Sequence, residues 1–318
     1  MQLNRIKRVA VIGAGIMGHG FAIVFARKGY SVSLFDIEPN LIKKALAAID
    51  ADLDTFVENG LIPKKEKQAI LGRIVGTAEL VEAAGKADFV LEAVPEVLAL
   101  KKEVFQRLDQ IAPPHTILAS NTSGLSITQM GSATRRPDKT IIVHGINPPH
   151  IIPIVEIVRG EKTSAETAEL TFRLLRRVGK KPVQILKEVP GFLYNRLQFA
   201  LYREALHCLE AGVATVEDID LVVKGGYGFR SATLGPLETS DFGGLDTFWR
   251  ITQNLYPELA DAKEPPDLLR RLVEEGKLGV KTGAGFYAYP RTAVKKKIRE
   301  RDRRLIEQLK LFETRGKK

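Results

Sequence analysis

The stretch that decides the fold is RVAVIGAGIMGHG, residues 8–20. Its residues 9–12 are apolar, and three glycines follow with the spacing G-x-G-x-x-G, at Gly13, Gly15 and Gly18. In such a stretch the first glycine permits a tight turn, the second lets a ligand approach the backbone, and the third lets a helix pack against a strand. We therefore predict a strand, a glycine turn and a helix whose N-terminus attracts phosphate groups.

An acidic residue follows at the place where the ribose of a dinucleotide would lie. The next apolar run, SVSLFD, ends in Asp36, and the two residues after it are not arginine. A carboxylate here suits the two ribose hydroxyls of NAD and repels the 2′-phosphate of NADP. We predict NAD as the cofactor, ahead of NADP and FAD, with contacts from Gly13, Gly15, Ile16, Met17, Gly18 and Asp36.

Further apolar runs alternate with amphipathic stretches as far as residue 187. The runs that resemble strands are KRVAVIG, SVSLFD, ADFVLEAV, TILASN, TIIVHG, PIVEIV and KPVQIL. Such alternation is typical of an α/β protein with a parallel, doubly wound sheet. Residues 40–71 interrupt it with a long charged stretch. We predict a Rossmann-type domain at 1–187, with a helical hairpin at about 40–71 inserted after the second strand.

Helical periodicity replaces this alternation in the second half of the chain. The stretch GFLYNRLQFALYREALHCLEAG has the pattern of a long helix that stops at Gly212, and Thr215 is a plausible cap for the next helix. We predict an all-α C-terminal domain at 188–290. Residues 291–318 then form a basic helical tail.

The tail carries most of the net charge. It has twelve Lys and Arg against four Asp and Glu, and so contributes +8 of the total +10. The pattern predicts a surface helix with a solvated basic face, and attraction of an anionic ligand or partner is the alternative. Because the rest of the chain is nearly neutral, we do not expect nucleic-acid binding. The apolar stripe of this helix is expected at Ile298, Leu305, Leu309 and Phe312.

Composition excludes several other classes of protein. The 318 residues, 44% of them hydrophobic, can bury a core of one large domain or two ordinary ones. Cys208 is the only cysteine, which rules out a disulfide framework and fits a reducing compartment. No apolar run is long enough for a membrane span, and residues 1–15 lack the pattern of a signal peptide. We expect a cytoplasmic protein without membrane contact.

The stretch VHGINPPHIIPIVEIVRG, residues 143–160, contains the candidate catalytic pair. An alcohol dehydrogenase needs a base for the hydroxyl proton, and histidine suits this near neutral pH. His144 stands at the carboxyl end of a predicted strand, where ligands bind in such sheets, and His150 is its positional rival. If the proline turn reverses the chain, Glu156 can orient the imidazole. The alternatives are that Glu156 faces solvent or pairs with Arg159.

Several motifs together resemble the L-3-hydroxyacyl-CoA dehydrogenase family, as far as about Tyr289. They are GAGIMG, EAVPE, SNTSGLSIT, H-x-x-N-P followed by IVEIV, PGFLYNRL and KLGVKTGAGFYAY. The resemblance implies that His144 is the base, that Glu156 is its partner, and that Ser123 and Asn195 hold the reacting oxygen. It also implies a homodimer formed through the C-terminal domain, and further NAD contacts from Glu96, Lys101, Ser123, Asn147 and Lys281. The alternatives are a solvated Lys101 and a helix–helix contact for Asn195.

The sequence departs from the usual coenzyme A pattern at two places. Gly145 and Ile146 replace two aromatic residues after the base, and Pro149 adds a second proline to the turn. In these features the chain is similar to the branch with lambda-crystallin, L-gulonate dehydrogenase and carnitine dehydrogenases. The hairpin turn VENGLIPKK also lacks the usual early lysines, and Lys64 and Lys65 come only at its end.

Arg230 is a third departure, because a guanidinium can bind a free carboxylate through two hydrogen bonds. The alternative is that it pairs with an internal acid such as Glu238. Two small-molecule substrates therefore stay open. The first is a short-chain L-3-hydroxyacyl-CoA of the 3-hydroxybutyryl-CoA type, and the second is a small free 3-hydroxy carboxylate held by Arg230. A non-catalytic NAD-binding protein is a further alternative, and no metal site is expected.

Overall fold

The computed structural model describes residues 2–315. Two compact units make up the chain, the first comprising residues up to Asn195 together with Arg301–Glu313. The second unit contains Arg196–Glu300. The domain boundaries drawn from the sequence at 187 and 290 stay predictions.

The first unit is built on one eight-stranded sheet. Its strand order is β3-β2-β1-β4-β5-β6-β7-β8, and the chain changes direction across the sheet between β1 and β4. Ligands bind at such a switch point, outside the carboxyl ends of the strands. The predicted Rossmann-type fold is confirmed. The strands are β1 Arg8–Ile12, β2 Ser31–Phe35, β3 Ile74–Thr77, β4 Phe89–Glu92, β5 Ile117–Ser120, β6 Thr140–Gly145, β7 Ile154–Val158 and β8 Lys181–Ile185.

One strand of the sheet was not predicted from the sequence. Strand β3 is a short edge strand that buries only Ile74 and leaves Val75 exposed, so it has no apolar run. The sheet is mostly parallel, as predicted, with one antiparallel pair where the proline turn reverses the chain. Strands β1 to β6 are parallel, but β7 is antiparallel to β6, and β8 runs parallel to β7.

Helices cover both faces of the sheet. Side chains of β1 alternate between two core clusters, with Val9 and Val11 in one and Ala10 and Ile12 in the other. The first cluster includes residues of α1, α2 and α7, and the second those of α4, α5 and α6. The inserted hairpin consists of α2 and α3. The helices are α1 Ile16–Ala26, α2 Pro39–Glu58, α3 Lys67–Leu71, α4 Leu80–Ala84, α5 Leu98–Ile111, α6 Ile127–Gly131 and α7 Ala165–Arg177.

The second unit is helical, as the sequence predicts. Thr215 caps its second helix by accepting a hydrogen bond from the amide of Asp218 at 3.1 Å, and the first helix stops just before Gly212, which has φ +68°. A π-helical turn, Val223–Tyr227, links α9 to α10. The helices are α8 Tyr194–Glu210, α9 Val216–Val222, α10 Gly228–Ser231, α11 Pro236–Gly243, α12 Leu245–Leu255 and α13 Asp267–Glu274.

The tail forms one helix, α14 Arg291–Arg315, and its residues 316–318 lie outside the described part. Leu309 and Ile306 are buried in the core cluster of α1 and α2, so this part of the helix is more than a surface element. The predicted stripe was right for Leu305 and Leu309 but wrong for Ile298 and Phe312, which are 38% and 40% exposed. Among residues 2–315, no helix combines the length and apolarity that a membrane span requires.

Candidate active site

The glycine turn has the geometry that its spacing predicts. Gly13 has φ +109°, and a Cβ there would lie 2.5 Å from the carbonyl oxygen of Ala93. A Cβ on Gly18 would lie 1.8 Å from the carbonyl oxygen of Gly13, so helix α1 can follow β1 this closely only with glycine at 18. Open space surrounds the Cβ position of Gly15, and within residues 2–315 no side chain caps the start of α1. The first amides of α1 are therefore available to a pyrophosphate.

Asp36 lies beside this turn, at the end of the neighbouring strand. Its Oδ2 accepts a hydrogen bond from the Ala14 amide at 2.9 Å, and its Oδ1 accepts one from the Glu38 amide at 3.2 Å. These two bonds fix the carboxylate at the carboxyl edge of the sheet while leaving lone pairs free. The turn and the carboxylate thus fit the pyrophosphate and the ribose of NAD, respectively.

The candidate catalytic pair meets across two antiparallel strands. In the register of β6 and β7, His144 lies directly opposite Glu156. Nδ1 of His144 is 2.7 Å from Oε2 of Glu156, and both side chains are almost fully buried. The carboxylate can only accept, so Nδ1 carries the proton and Nε2 keeps its lone pair. The alternatives, Glu156 in solvent or paired with Arg159, are excluded.

The other oxygen of Glu156 is held by backbone amides. Oε1 accepts hydrogen bonds from Leu193 at 3.0 Å and from Tyr194 at 2.8 Å, where α8 begins. Phe192, directly before them, has φ +51°, a left-handed conformation rare for a bulky residue, and its ring packs edge-on against His144. Three N–H groups thus point at one carboxylate and fix its position.

Gly145 follows the histidine because Phe21 of α1 occupies the space beside it. A Cβ at Gly145 would lie 2.4 Å from the Phe21 ring. The amide of Gly145 donates to Oδ1 of Asn121 at 2.9 Å, which joins the end of β6 to the loop after β5. In this chain the aromatic ring beside the end of β6 therefore comes from α1.

A polar network connects the loops after β4 and β5. Lys101 is 1% exposed and donates to Glu92 at 2.7 Å, and its Nζ is 3.3 Å from Oε2 of Glu96. Glu96 in turn accepts from the Ser123 amide at 2.8 Å, and Asn195 donates to the Ser123 carbonyl at 3.0 Å. The structure thus brings four of the predicted site residues together. The alternative of a solvated Lys101 was wrong, and Asn195 contacts a loop rather than another helix.

Two residues of this site escaped the sequence analysis. Glu92 is fully buried, and its carboxylate accepts from Lys101, from the Ser120 hydroxyl at 2.6 Å and from the Val94 amide at 2.7 Å. Burial raises the pKa of Glu92, and these donors act in the opposite direction. Asn121 is the second. An acid at the end of the apolar run FVLE was the available signal for Glu92, whereas the signal for Glu156 was an acid in the middle of IVEIV.

The remaining predicted site residues lie apart from these contacts. Asn147 is exposed in the turn between β6 and β7. Arg230 lies in α10, and Lys281 lies near the isolated bridge between Gly279 and Ala284, so both belong to the second unit. Their roles stay predictions.

Comparison with known families identifies the chain. The family model described as "3-hydroxyacyl-CoA dehydrogenase, NAD binding domain" matches residues 8–189, and the one for the C-terminal domain matches residues 191–289. The chain belongs to the 3-hydroxyacyl-CoA dehydrogenase family. It is accordingly an NAD-dependent oxidoreductase.

Relatives within the 3-hydroxyacyl-CoA dehydrogenase family carry different names. The chain is 41% identical over 285 residues to a probable 3-hydroxybutyryl-CoA dehydrogenase of Bacillus subtilis, covering 89% of this chain and 98% of the relative. It is 35% identical to L-carnitine dehydrogenase of Streptomyces coelicolor, covering 96% and 95%. The crystal structure of 5-formyl-3-hydroxy-2-methylpyridine 4-carboxylic acid 5-dehydrogenase, an NAD⁺-dependent dismutase, matches with a TM-score of 0.90 and 34% identity, covering 97% and 99%.

Proposed function

We propose that the protein reversibly oxidises the secondary alcohol of a 3-hydroxyacyl compound, with NAD as the hydride acceptor. The observation that carries the proposal is the buried 2.7 Å contact between His144 and Glu156 at the carboxyl edge of a dinucleotide-binding sheet. A non-catalytic NAD-binding protein would not need to bury such a pair.

His144 is the base in this mechanism. NAD, when bound, supplies the acceptor for the hydride that leaves the substrate carbon. His144 Nε2 takes the hydroxyl proton, and the imidazolium that forms is stabilised by Glu156. In the reverse direction the imidazolium returns this proton to the 3-oxo group. Glu156 stays oriented toward the imidazole because the amides of Leu193 and Tyr194 hold its other oxygen.

Ser123 and Asn195 are proposed to hold the reacting oxygen. One amide hydrogen of Asn195 is committed to the Ser123 carbonyl, so the residues support each other. The second amide hydrogen and the Ser123 hydroxyl can donate to an oxygen that gains negative charge.

A short-chain thioester of the 3-hydroxybutyryl-CoA type is the first candidate for the substrate. The 41% identity to the Bacillus subtilis relative supports it. The exposed Lys64 and Lys65, at the end of the hairpin turn, can serve the phosphate groups of a coenzyme.

A small free 3-hydroxy carboxylate is the second candidate, and Arg230 favours it. Glu238 was the alternative partner for Arg230, but its carboxylate accepts a hydrogen bond from the Gly235 amide at 2.7 Å and so caps α11. The hairpin turn also offers few cations to the phosphate groups of a coenzyme. Lys67 pairs with two aspartates of α2, and Asn59 is uncharged and donates to the Thr55 carbonyl. The carnitine and pyridine carboxylate names among the relatives agree with this candidate.

A side-by-side assay tests the proposal. We expect NADH formation with 3-hydroxybutyryl-CoA, and we expect Arg230→Met to leave kcat/KM within about twofold of the parent enzyme, because a thioester has no carboxylate to pair. Carnitine, gulonate and 3-hydroxybutyrate serve as free-acid substrates. Arg250→Met is the matched control, since Arg250 is an exposed arginine of the same unit that already pairs with Asp246.

Two other outcomes of this assay have definite meanings. If only a free acid is oxidised, and Arg230→Met lowers kcat/KM for that acid by about 10- to 100-fold, the substrate is a free carboxylate rather than a thioester. A loss of this size corresponds to one hydrogen bond to a charged group. If neither class of substrate reduces NAD, the proposed reaction is wrong.

We also propose a cytoplasmic homodimer formed through the second unit. Its helices expose large apolar side chains, among them Leu237, Phe242 and Trp249, which are 80%, 81% and 65% exposed. Apolar surface of this extent favours association. Light scattering of the full chain should give twice the mass of 35.2 kDa, and a monomer at micromolar concentration would refute the dimer.

A further inference from the structure

A cluster of side chains of metal-binding types lies in the first unit, outside the site described above. It consists of His19 in α1, Asp52 in α2 and His150 in the turn between β6 and β7. Nε2 of His19 is 3.3 Å from Oδ2 of Asp52, and Nε2 of His150 is 3.6 Å from the same oxygen. One ligand atom from each residue lies within 4.8 Å of the others. Three separate elements thus converge on one point.

With both imidazoles neutral, hydrogen bonding does not explain this arrangement. Nδ1 of His19 is 3.1 Å from the Gly15 carbonyl, which can only accept, so in the neutral ring the proton is on Nδ1. The lone pair of Nε2 then faces the Asp52 carboxylate, and two acceptors in contact repel each other. Oδ2 of Asp52 is buried and has no hydrogen-bond partner among the described residues. A buried carboxylate oxygen without a donor is costly, and a cation would relieve that cost.

His150 is also buried within this cluster. It is 7% exposed, and its Nδ1 is likewise buried without a hydrogen-bond partner in the described chain. An imidazole can bind a metal ion through the lone pair of a ring nitrogen.

We propose that His19, Asp52 and His150 bind one divalent transition-metal cation, Zn²⁺ foremost. Two imidazoles and a carboxylate are a ligand set that Zn²⁺ uses. With metal–ligand bonds of about 2.0–2.1 Å, tetrahedral geometry separates ligand atoms by roughly 3.3 Å, close to the two separations observed here. A metal-bound histidine usually donates its other ring N–H to a carboxylate or a backbone carbonyl, and Nδ1 of His19 contacts the Gly15 carbonyl in this way. The sequence did not predict this site.

Neighbouring charges permit a cation here. Asp302 of α14 is 7% exposed, and Arg301 pairs with it at 2.7 Å. Lys180 donates to the carbonyls of Pro149 and Ile152, so its ammonium group is engaged by the backbone. Water can supply the fourth ligand.

The metal would join three elements that carry the active site. Helix α1 begins at the glycine turn, α2 opens the hairpin, and the turn with His150 connects His144 to Glu156. The turn with His150 lies very close to α1, because a Cβ on Gly20 of α1 would lie 2.6 Å from the Pro149 ring. A bound cation would hold this turn against α1 and so stabilise the native state.

Metal binding by the untagged full-length protein tests the proposal. After chelation and gel filtration, titration with Zn²⁺ against a chromophoric competitor should show one saturable site. Co²⁺ should give the visible absorption of a coordinated ion. At a hundredfold excess of Zn²⁺ over its Kd, Tm should rise by roughly 5 °C.

Substitution of each proposed ligand tests where the metal binds. Zn²⁺ binding should be weakened by about 100-fold or more in each of the variants His19→Gln, Asp52→Asn and His150→Gln. Loss of a residue that only hydrogen-bonds a metal ligand already costs 10- to 100-fold in affinity. His115→Gln is the matched control, because His115 also contacts an aspartate, Asp88 at 3.1 Å, but outside the cluster. Asp52→Asn is nearly isosteric and carries the test if a histidine variant fails to fold. Absence of saturable binding, or equal binding by Asp52→Asn and His115→Gln, would overturn the proposal.

Discussion

Replacing His144 with glutamine is expected to lower kcat by roughly 10⁴-fold or more, the upper end of what general-base catalysis contributes. Glutamine keeps most of the side-chain volume and can still donate to Glu156, but it has no basic nitrogen to take the hydroxyl proton. Because His144 is not among the residues expected to contact NAD, the affinity for NADH should stay within several-fold of the parent protein. Stopped-flow turnover and an NADH fluorescence titration measure these two quantities separately.

His115→Gln is the control for this substitution as well. His115 is an exposed histidine hydrogen-bonded to Asp88 and is not one of the predicted site residues. Its loss should therefore leave turnover near the parent value. An active His144→Gln enzyme, with correct folding shown by its melting curve, would rule out His144 as the base.

Replacing Glu156 with glutamine is expected to lower kcat by about 10²- to 10⁴-fold. An amide can present its N–H group to Nδ1 of His144, and the ring then takes the opposite tautomer, with its proton on Nε2. That nitrogen can no longer accept the proton of the substrate. The loss should appear in kcat and leave the KM for NAD nearly unchanged, because Glu156 touches the base rather than the cofactor.

The Glu156 substitution also needs a test of folding, since three N–H groups meet at this carboxylate. Glu161→Gln, an exposed glutamate just beyond β7, is the matched control. If Glu156→Gln folds normally and turns over at the parent rate, the carboxylate only anchors the start of α8, and the pair is structural.

The local sequence was enough to predict the dinucleotide-binding half of the site. The glycine turn and Asp36 belong to one β-α-β segment, and their geometry follows from short-range steric limits and strand direction. The sequence left open whether Asn-Pro-Pro returns the chain and brings Glu156 to His144, and the strand register shows that it does. Here the two residues are only twelve positions apart, so one turn decides the outcome.

Contacts between segments that are distant in the chain could not be predicted from the sequence. Strand β3 is held by pairing with β2 rather than by an apolar run of its own, so its residues show no strand pattern. Lys101 looks like a solvated helix residue until Glu92, on a different element, is placed beside it. The amides of Leu193 and Tyr194 reach Glu156 only because of the left-handed backbone at Phe192.

The sequence by itself determined the Rossmann-type fold and the cofactor, and it predicted the acid–base pair that is proposed here, because each depends on residues close in the chain or on a motif with fixed spacing. Only the tertiary structure decided what surrounds them. It showed that α1 supplies the ring beside Gly145, and that α14 adds Ile306 to the core. It also brought His19, Asp52 and His150 from three elements to one point. The physical reason is that packing selects these neighbours by shape and charge across the folded chain, which no local pattern records.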